Sequence, residues 1–273
     1  MKKLRFVTAA SLFDGHDASI NIMRRLLQAN GVEVIHLGHN RSAIDVVQAA
    51  LSEDAHAIAL SSYQGGHMEY FTFVRELLDK NGAQNIRIFG GGGGVITPPE
   101  IEELHRRGIT RIYHPNDGTS LGLHGIIQDM IDKCQYSTLD GVEWTSLNDQ
   151  SLSTYEIAKV ITHIEDEKKM PSGFQFERET SKIPVLGVTG TGGAGKSSLI
   201  DELLLRFHRY YHNKKVALIS VDPTKKKNQG ALLGDRIRLG SAVYENFYIR
   251  SLATRDSLNE LSPAIHTVVE FLK

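Results

Sequence analysis

The chain has 273 residues, 41% of them hydrophobic and 23% charged, which is the composition of a globular protein and excludes a disordered or collagen-like chain. Its 31 basic and 32 acidic residues give a formal net charge of −1, which argues against a nucleic-acid partner, because replacing phosphate counterions needs a basic face. The single cysteine, Cys134, excludes an internal disulfide framework, and no apolar run approaches the ~18 residues of a membrane-spanning helix, so we expect a cytoplasmic protein without a membrane partner.

Strand-like and helix-like segments alternate along the first half of the chain. The predicted strands are 4–10, 32–37, 57–61, 86–89 and 111–113, and the predicted helices are 19–30, 42–52, 69–81, 99–107 and 121–133. This alternation predicts a doubly wound α/β domain with a flavodoxin-like parallel sheet in the order 2-1-3-4-5. Ligands of such sheets bind beyond the carboxyl ends of the strands, so we expect a site in the loops after the first, third and fourth strands.

The alternation lapses after residue 136 and resumes near residue 183. The intervening stretch has one helical pattern, 154–169, and then the helix-breaking sequence Pro-Ser-Gly at 171–173. A second α/β unit follows, with predicted strands at 184–189 and 216–221 around a helix at 196–212. We therefore divide the chain into a first domain, 1–136, a linker with one helix, 137–182, and a P-loop NTPase α/β domain, 183–273. We expect the last domain to be incomplete, because roughly 90 residues are too few for a full nucleotide-binding sheet.

Residues 190–197, with the sequence Gly-Thr-Gly-Gly-Ala-Gly-Lys-Ser, fit the phosphate-binding pattern G-x-x-x-x-G-K-[ST] in full. Glycines let the backbone N–H groups of such a loop point at phosphates, and the helix N-terminus adds positive potential. Lys196 would neutralise the β- and γ-phosphates and the Ser197 hydroxyl would coordinate Mg²⁺, so these two are the expected catalytic residues. The expected nucleotide-binding residues are Gly190, Gly192, Gly193, Ala194, Gly195, Lys196, Ser197 and Ser198.

Two acidic residues further along the chain are candidates for the Mg²⁺ site. Asp222 ends a predicted strand, although Asp222-Pro223 is also an ordinary turn sequence. Asp235 lies in a glycine-bearing loop, where it would serve the Mg²⁺ shell or a moving switch. The sequence after Ser197 has no Asn-Lys-x-Asp motif, so the residues themselves do not distinguish GTP from ATP.

A histidine loop follows the first predicted strand, at Asp14-Gly15-His16. A carboxylate two residues before a histidine can hold one ring nitrogen and leave the other free to bind a metal. Ser61 ends the third predicted strand, and five glycines, 90–94, follow the fourth, where backbone without side chains lets a long ligand pass close to the sheet.

These residues resemble the D-x-H-x-x-G … S-x-L … G-G pattern of cobalamin-binding domains. The resemblance implies that His16 is the lower axial ligand of cobalt and that Asp14 is its hydrogen-bond partner. It also implies that Ser61 bonds the displaced dimethylbenzimidazole, with Gly93 and Gly94 beside the nucleotide tail of the cofactor. The sequence departs from the pattern at two positions, where Ser19 replaces the glycine and Tyr63 replaces the leucine, which puts the packing of that tail in question.

The order of the two patterns resembles the fused isobutyryl-CoA mutase family, in which a GTPase chaperone lies between the cobalamin domain and the mutase barrel. Residues 221–224, Val-Asp-Pro-Thr, and 233–236, Leu-Gly-Asp-Arg, belong to the resemblance. It implies adenosylcobalamin and Mg²⁺ as cofactors, GTP hydrolysis that gates cofactor loading, and a homodimer that interconverts isobutyryl-CoA and n-butyryl-CoA. These 273 residues lack a substrate barrel, so we expect mutase activity to need an acyl-CoA substrate domain, in the same chain or in a separate subunit.

Two other functions fit the residues. The first is a stand-alone cobalamin carrier or sensor coupled to a P-loop GTPase. The second is a P-loop enzyme fused to a phosphoacceptor or flavodoxin-like regulatory domain, in which Asp14 or Asp17 has the acidic role. This last alternative predicts no affinity for corrinoids and no function for His16.

Overall fold

A computed structural model describes residues 3–147, 152–174, 183–222, 230–233, 236, 239, 244, 246–254 and 262–273. Its strands are β1 (Arg5–Ser11), β2 (Glu33–Arg41), β3 (Ala57–Ser61), β4 (Arg87–Gly91), β5 (Arg111–Tyr113), β6 (Val216–Asp222), β7 (Leu232–Leu233) and β8 (Phe247–Ala253). Its helices are α1 (Ala18–Ala29), α2 (Ala43–Ser52), α3 (His67–Lys80), α4 (Pro98–Arg106), α5 (Pro115–Asp132), α6 (Thr154–Glu167), α7 (Lys196–Tyr210) and α8 (Ile265–Leu272).

The main sheet is parallel and has the order β5-β4-β3-β1-β2-β7. Its first five strands confirm the flavodoxin-like order that the sequence predicts, and the sixth, β7, comes from far along the chain. Ala10 of β1 lies beside Ser61 of β3, and Ser61 lies beside Gly91 of β4. The three predicted loops therefore leave the sheet together at its carboxyl edge.

Helices cover both faces of this sheet. Alternate residues of β1 point to opposite sides, so that Val7 packs in a core with α2, α3 and α4, and Phe6 packs in a core with α1 and α5. All seven residues of β1 are buried, because this strand has a neighbour on each side and a helical layer above and below. The loop after β1 therefore starts from a strand that is buried along its whole length.

The second part of the chain is built differently. β6 and β8 form a separate two-stranded parallel sheet. The strand predicted at 184–189 is wrong: these residues have irregular, exposed backbone, and the side chain of Leu186 is 77% exposed. A strand forms only where a neighbouring strand satisfies its backbone groups. An apolar, β-branched sequence supplies the side chains of a strand but not that neighbour.

A buried charged cluster joins the two parts. It consists of three arginines and three glutamates, each at most 7% exposed: Arg5, Glu33, Glu53, Glu165, Arg236 and Arg250. The guanidinium of Arg5 donates to Glu33 at 2.7 Å, and that of Arg250 donates to Glu165 at 2.6 Å. Burial opposes the charge of Arg5, but Glu165, Glu33 and Glu53 outweigh it and hold its pKa above the ordinary value.

Further hydrogen bonds of the charged cluster join residues that lie far apart in the sequence. The backbone N–H of Ser251 in β8 donates to Glu53 at 3.0 Å, and Arg236 donates to the Ser52 hydroxyl at 2.8 Å. Helix α6, which carries Glu165 of the charged cluster, packs in an apolar cluster with β8 and α8. Within the described residues, none of the helices combines the length and apolarity that a bilayer crossing needs.

Candidate functional site

The histidine loop is organised by one buried carboxylate. Asp14 is 1% exposed, and its Oδ1 accepts hydrogen bonds from the backbone N–H of His16 at 2.8 Å and from Nδ1 of the imidazole at 2.9 Å. Its Oδ2 accepts the backbone N–H of Tyr63, in the loop after β3, at 2.6 Å. A carboxylate beside Nδ1 favours the tautomer that carries its proton there, so the lone pair of Nε2 is free. The imidazole is 76% exposed and can meet a metal outside the sheet.

Ser61 presents a second polar group at the same edge. It is the last residue of β3 and it is buried, and within the described residues its hydroxyl has no hydrogen-bond partner. Its neighbour Ser62 is satisfied, since its hydroxyl accepts from Ser11 at 2.9 Å and its backbone N–H donates to Gly91. A buried hydroxyl without a partner is costly, and a ligand acceptor or donor at this edge would remove the cost.

The five glycines at 90–94 differ in what a side chain would contact, and the first two are the last residues of β4. A Cβ on Gly90 would lie 2.4 Å from the ring of Phe71 in α3, and one on Gly92 would lie 1.9 Å from the carbonyl oxygen of Ser62. These two positions allow close packing within the protein, not the passage of a ligand that the sequence predicts for the whole run. Gly93 needs its φ of +58°, whereas a Cβ on Gly94 would meet nothing within 4 Å. The open position is therefore Gly94.

The two departures from the cobalamin-binding pattern meet in space. The Ser19 hydroxyl, in the first turn of α1, lies 2.6 Å from the phenol oxygen of Tyr63. The Tyr63 ring lies 5.6 Å from the His16 ring, centroid to centroid, with 43° between the ring planes. The sequence shows both departures but not that their side chains bond each other, because the two residues are far apart in the chain.

The phosphate loop has the backbone that its motif predicts. Gly193 and Gly195 both have φ of +82°, and Gly195 is the N-cap of α7. The ammonium of Lys196 folds back over the loop and donates to the carbonyls of Gly190 at 2.7 Å and Thr191 at 2.9 Å. Ser197 follows in the first turn of the helix and is half-buried. The loop is exposed, as a nucleotide site needs, but it starts from the unpaired segment 184–189.

The two acidic candidates for Mg²⁺ have different outcomes. Asp222 is the last residue of β6 and lies at the carboxyl end of that strand, half-buried. Asp235 lies outside the described residues, although its neighbour Arg236 belongs to the charged cluster. Sequence reasoning missed that cluster altogether, because nothing in the spacing of Glu33, Glu53 and Glu165 indicates that they converge.

Two protein-family models match this chain. The B12 binding domain covers residues 4–121, which contain the histidine loop, Ser61 and the glycine run. The methylmalonyl-CoA mutase-associated GTPase MeaB covers residues 157–273, which contain most of α6 and the phosphate loop. Cobalamin and GTP are therefore the ligands of the two matched regions.

Curated relatives carry both regions in the same order. A fused isobutyryl-CoA mutase from Geobacillus kaustophilus is 54% identical over 280 residues, which are 99% of this chain and 26% of the relative. Another from Cupriavidus metallidurans is 50% identical over 281 residues, which are 99% of this chain and 25% of that relative. The chain belongs to the fused isobutyryl-CoA mutase family. It spans about a quarter of the length of these relatives.

Two more distant matches cover less than half of the chain. The 2-hydroxyisobutanoyl-CoA mutase small subunit of Aquincola tertiaricarbonis is 28% identical over 109 residues, which are 40% of this chain and 79% of the subunit. A solved cobalamin-binding protein from Desulfitobacterium hafniense covers 48% of the chain and 59% of its own length, at 19% identity and a TM-score of 0.40, which is too low to add to the assignment.

Proposed function

We propose that this chain is the cofactor-binding and nucleotide-binding portion of an adenosylcobalamin-dependent acyl-CoA mutase that interconverts isobutyryl-CoA and n-butyryl-CoA. The observation that carries the proposal is the Asp14–His16 pair at the carboxyl edge of the sheet, the same edge at which the Ser61 hydroxyl has no hydrogen-bond partner among the described residues. When bound, adenosylcobalamin supplies the cobalt–carbon bond whose homolysis starts the radical rearrangement.

The described residues fit that cofactor in its base-off form. His16 would ligate cobalt through Nε2, while Asp14 keeps the proton on Nδ1 and fixes the orientation of the ring. The Ser61 hydroxyl would bond the displaced dimethylbenzimidazole, and the backbone of Gly93 and Gly94 would border the nucleotide tail. Support comes from the orphaned hydroxyl and from the open space at Gly94.

The phosphate loop would bind GTP with Mg²⁺ and gate the loading of the cofactor. Lys196 would move from its carbonyl partners to the β- and γ-phosphates, and Ser197 would hold the ion. Gly190, Gly192, Gly193, Ala194, Gly195 and Ser198 would complete the phosphate cradle. Asp222 and Asp235 are our further candidates for the Mg²⁺ site.

The assembly that we propose is a cytoplasmic homodimer, completed by an acyl-CoA substrate domain in the same chain or in a separate subunit. The free, buried Cys134 fits a reducing compartment. We also keep the domain division 1–136, 137–182 and 183–273 as part of the proposal. A phosphoacceptor role for Asp14 is disfavoured, because its carboxylate is buried and already accepts three N–H groups.

Absorption spectroscopy tests the cobalamin site. The purified chain with added cobalamin should give the spectrum of a base-off, histidine-ligated corrinoid, and His16→Ala should abolish it. His124→Ala is the matched control, because His124 is an exposed histidine on α5. Identical spectra for the wild type and His16→Ala would refute the ligand assignment.

Calorimetry tests the nucleotide site in the same preparation. Lys196→Ala should remove most of the Mg²⁺-dependent affinity for GTP, and the exposed Lys214→Ala should leave it unchanged. Equal GTP affinity in the wild type and Lys196→Ala would contradict the role of Lys196, without touching the cobalamin assignment.

A further inference from the structure

Tyr63 is held at two points. Its backbone N–H donates to Asp14 Oδ2 at 2.6 Å, and its phenol shares a 2.6 Å hydrogen bond with the hydroxyl of Ser19. These bonds tie the loop after β3 to the loop after β1 and to the first turn of α1. The tyrosine ring therefore has a fixed position and a fixed tilt, which a leucine at this position would lack.

The fixed ring lies between the imidazole of His16 and the backbone of Gly93. Its centroid is 5.6 Å from that of the imidazole, and a Cβ on Gly93 would come within 3.0 Å of Tyr63 Cε1. The absence of a side chain at Gly93 is what gives the ring its place. Asp14 fixes one nitrogen of His16, but a single hydrogen bond still lets an exposed ring rotate about it.

We propose that the Ser19–Tyr63 pair is a positioning device for His16. The pair holds the tyrosine ring against the imidazole, so that Nε2 points in one direction toward its metal. This inference rests on the proposed function of His16 as the axial ligand of cobalt. Ser19 and Tyr63 are positioning residues, since they act through His16 and not on the reacting atoms.

The same ring could instead serve only as a wall for the nucleotide tail, because it also borders Gly93. The two roles differ in the corrinoid that they affect. Cobinamide has the corrin and the cobalt but lacks the nucleotide tail. A device that positions His16 acts on both corrinoids, whereas a wall for the tail acts on cobalamin alone.

The test measures affinity and absorption spectra for cobalamin and for aquated cobinamide. The variants are Ser19→Ala, Tyr63→Phe, Tyr63→Leu and the double variant Ser19→Ala/Tyr63→Phe, with Tyr210→Phe and Ser120→Ala as exposed controls. Loss of one hydrogen bond corresponds to roughly a 3- to 10-fold weaker binding. Circular dichroism of each variant confirms that it has folded.

We expect Ser19→Ala and Tyr63→Phe to weaken both corrinoids by the same factor, roughly 3- to 10-fold, and to lower the histidine-ligated fraction of the spectrum. The double variant should lose no more than either single variant, because both remove the same bond. Tyr63→Leu should lose at least as much.

Three results would overturn the inference. A loss confined to cobalamin would make the ring a wall for the tail, and unchanged spectra and affinities in folded variants would leave the pair without a role in positioning. Both results would spare the proposed function, provided that His16→Ala still abolishes the histidine-ligated spectrum. If His16→Ala has no effect, the proposed function fails and this inference fails with it.

Discussion

The loop after β1 and the loop before α7 both carry a ligand-binding motif, but they stand on different supports. The first leaves a strand that is buried along its whole length between two neighbours. The second leaves residues 184–189, whose apolar side chains are exposed and whose backbone is irregular. A ligand-binding motif therefore sets the local backbone of its loop, whereas the surrounding sheet determines how firmly that loop is held.

Substitution in the buried charged cluster should give the largest effect, because its side chains come from both parts of the chain and are buried. Arg250→Met leaves Glu165 buried without its 2.6 Å partner, and breaking a buried ion pair costs about 3–5 kcal/mol. Urea unfolding followed by circular dichroism should show that loss in the free energy of unfolding. The control is Arg206→Ala, which breaks an exposed pair with Glu202 and should cost less than about 0.5 kcal/mol. Equal costs would mean that the charged cluster does not stabilise the contact between the two parts of the chain.

Two leucines, one from each region, should differ in the stability that their truncation costs. Leu60 is buried in β3, and Leu186 is exposed before the phosphate loop. Leu60→Ala should cost about 2–5 kcal/mol of unfolding free energy, because it removes core contacts and leaves a cavity. Leu186→Ala should cost less than about 0.5 kcal/mol. A large cost at Leu186 would show that segment 184–189 is packed in solution and would remove the contrast between the two supports.

Acid should destabilise the main sheet, which carries the loop after β1, through two buried histidines. Burial lowers the pKa of His36 and of His56 to about 4, below the ordinary value of 6.5. The unfolded chain then binds more protons than the folded one between these values, so stability is full above pH 6.5 and falls as the pH drops toward 4.

Each of these histidines should contribute about 1–2 kcal/mol to that loss. Unfolding measured from pH 7 to 4.5 should give the slope, and His56→Gln should flatten it, while the exposed His124→Gln should not. An unchanged slope in His56→Gln would contradict the assignment of the loss to buried histidines.

Alanine substitutions in the glycine run should separate effects on protein stability from effects on cobalamin binding. Gly92→Ala places a Cβ against the carbonyl of Ser62 and should cost about 1–3 kcal/mol of unfolding free energy. Gly94→Ala meets nothing and should leave stability within about 0.5 kcal/mol. Thermal unfolding checks both. If Gly94→Ala weakens cobalamin binding at unchanged stability, Gly94 borders the cofactor; if Gly92→Ala costs nothing, the loop geometry described above is wrong.

How far the sequence predicts the structure depends on how local the cause is. β3 and β5 have the predicted bounds, and α2 differs by one residue from the helix predicted at 42–52 because Ser42 is its N-cap; short-range pattern and capping chemistry decide these elements. The predicted start of α5 at residue 121 is six residues late. Gly118 and Gly122 obscure its first turns, and Gly122 breaks the helix with φ of +66°.

At the candidate site too, the sequence predicts contacts between neighbouring residues but not contacts between distant segments. Asp14 and His16 are two residues apart, so their contact follows from the sequence. The Ser19–Tyr63 bond, the pairing of β7 with β2 and the charged cluster join distant segments, and single-sequence patterns carry no trace of such pairs. The sequence thus predicts the motif residues but not what holds them in place.

Electron paramagnetic resonance of the chain loaded with cob(II)alamin identifies the nitrogen ligand of cobalt. With natural nitrogen, an axial imidazole splits the cobalt lines into triplets, and ¹⁵N-histidine labelling of the protein should convert these into doublets. His16→Ala should remove the label-dependent splitting. A pattern that ignores the label, or that persists unchanged in His16→Ala, would contradict ligation of cobalt by His16.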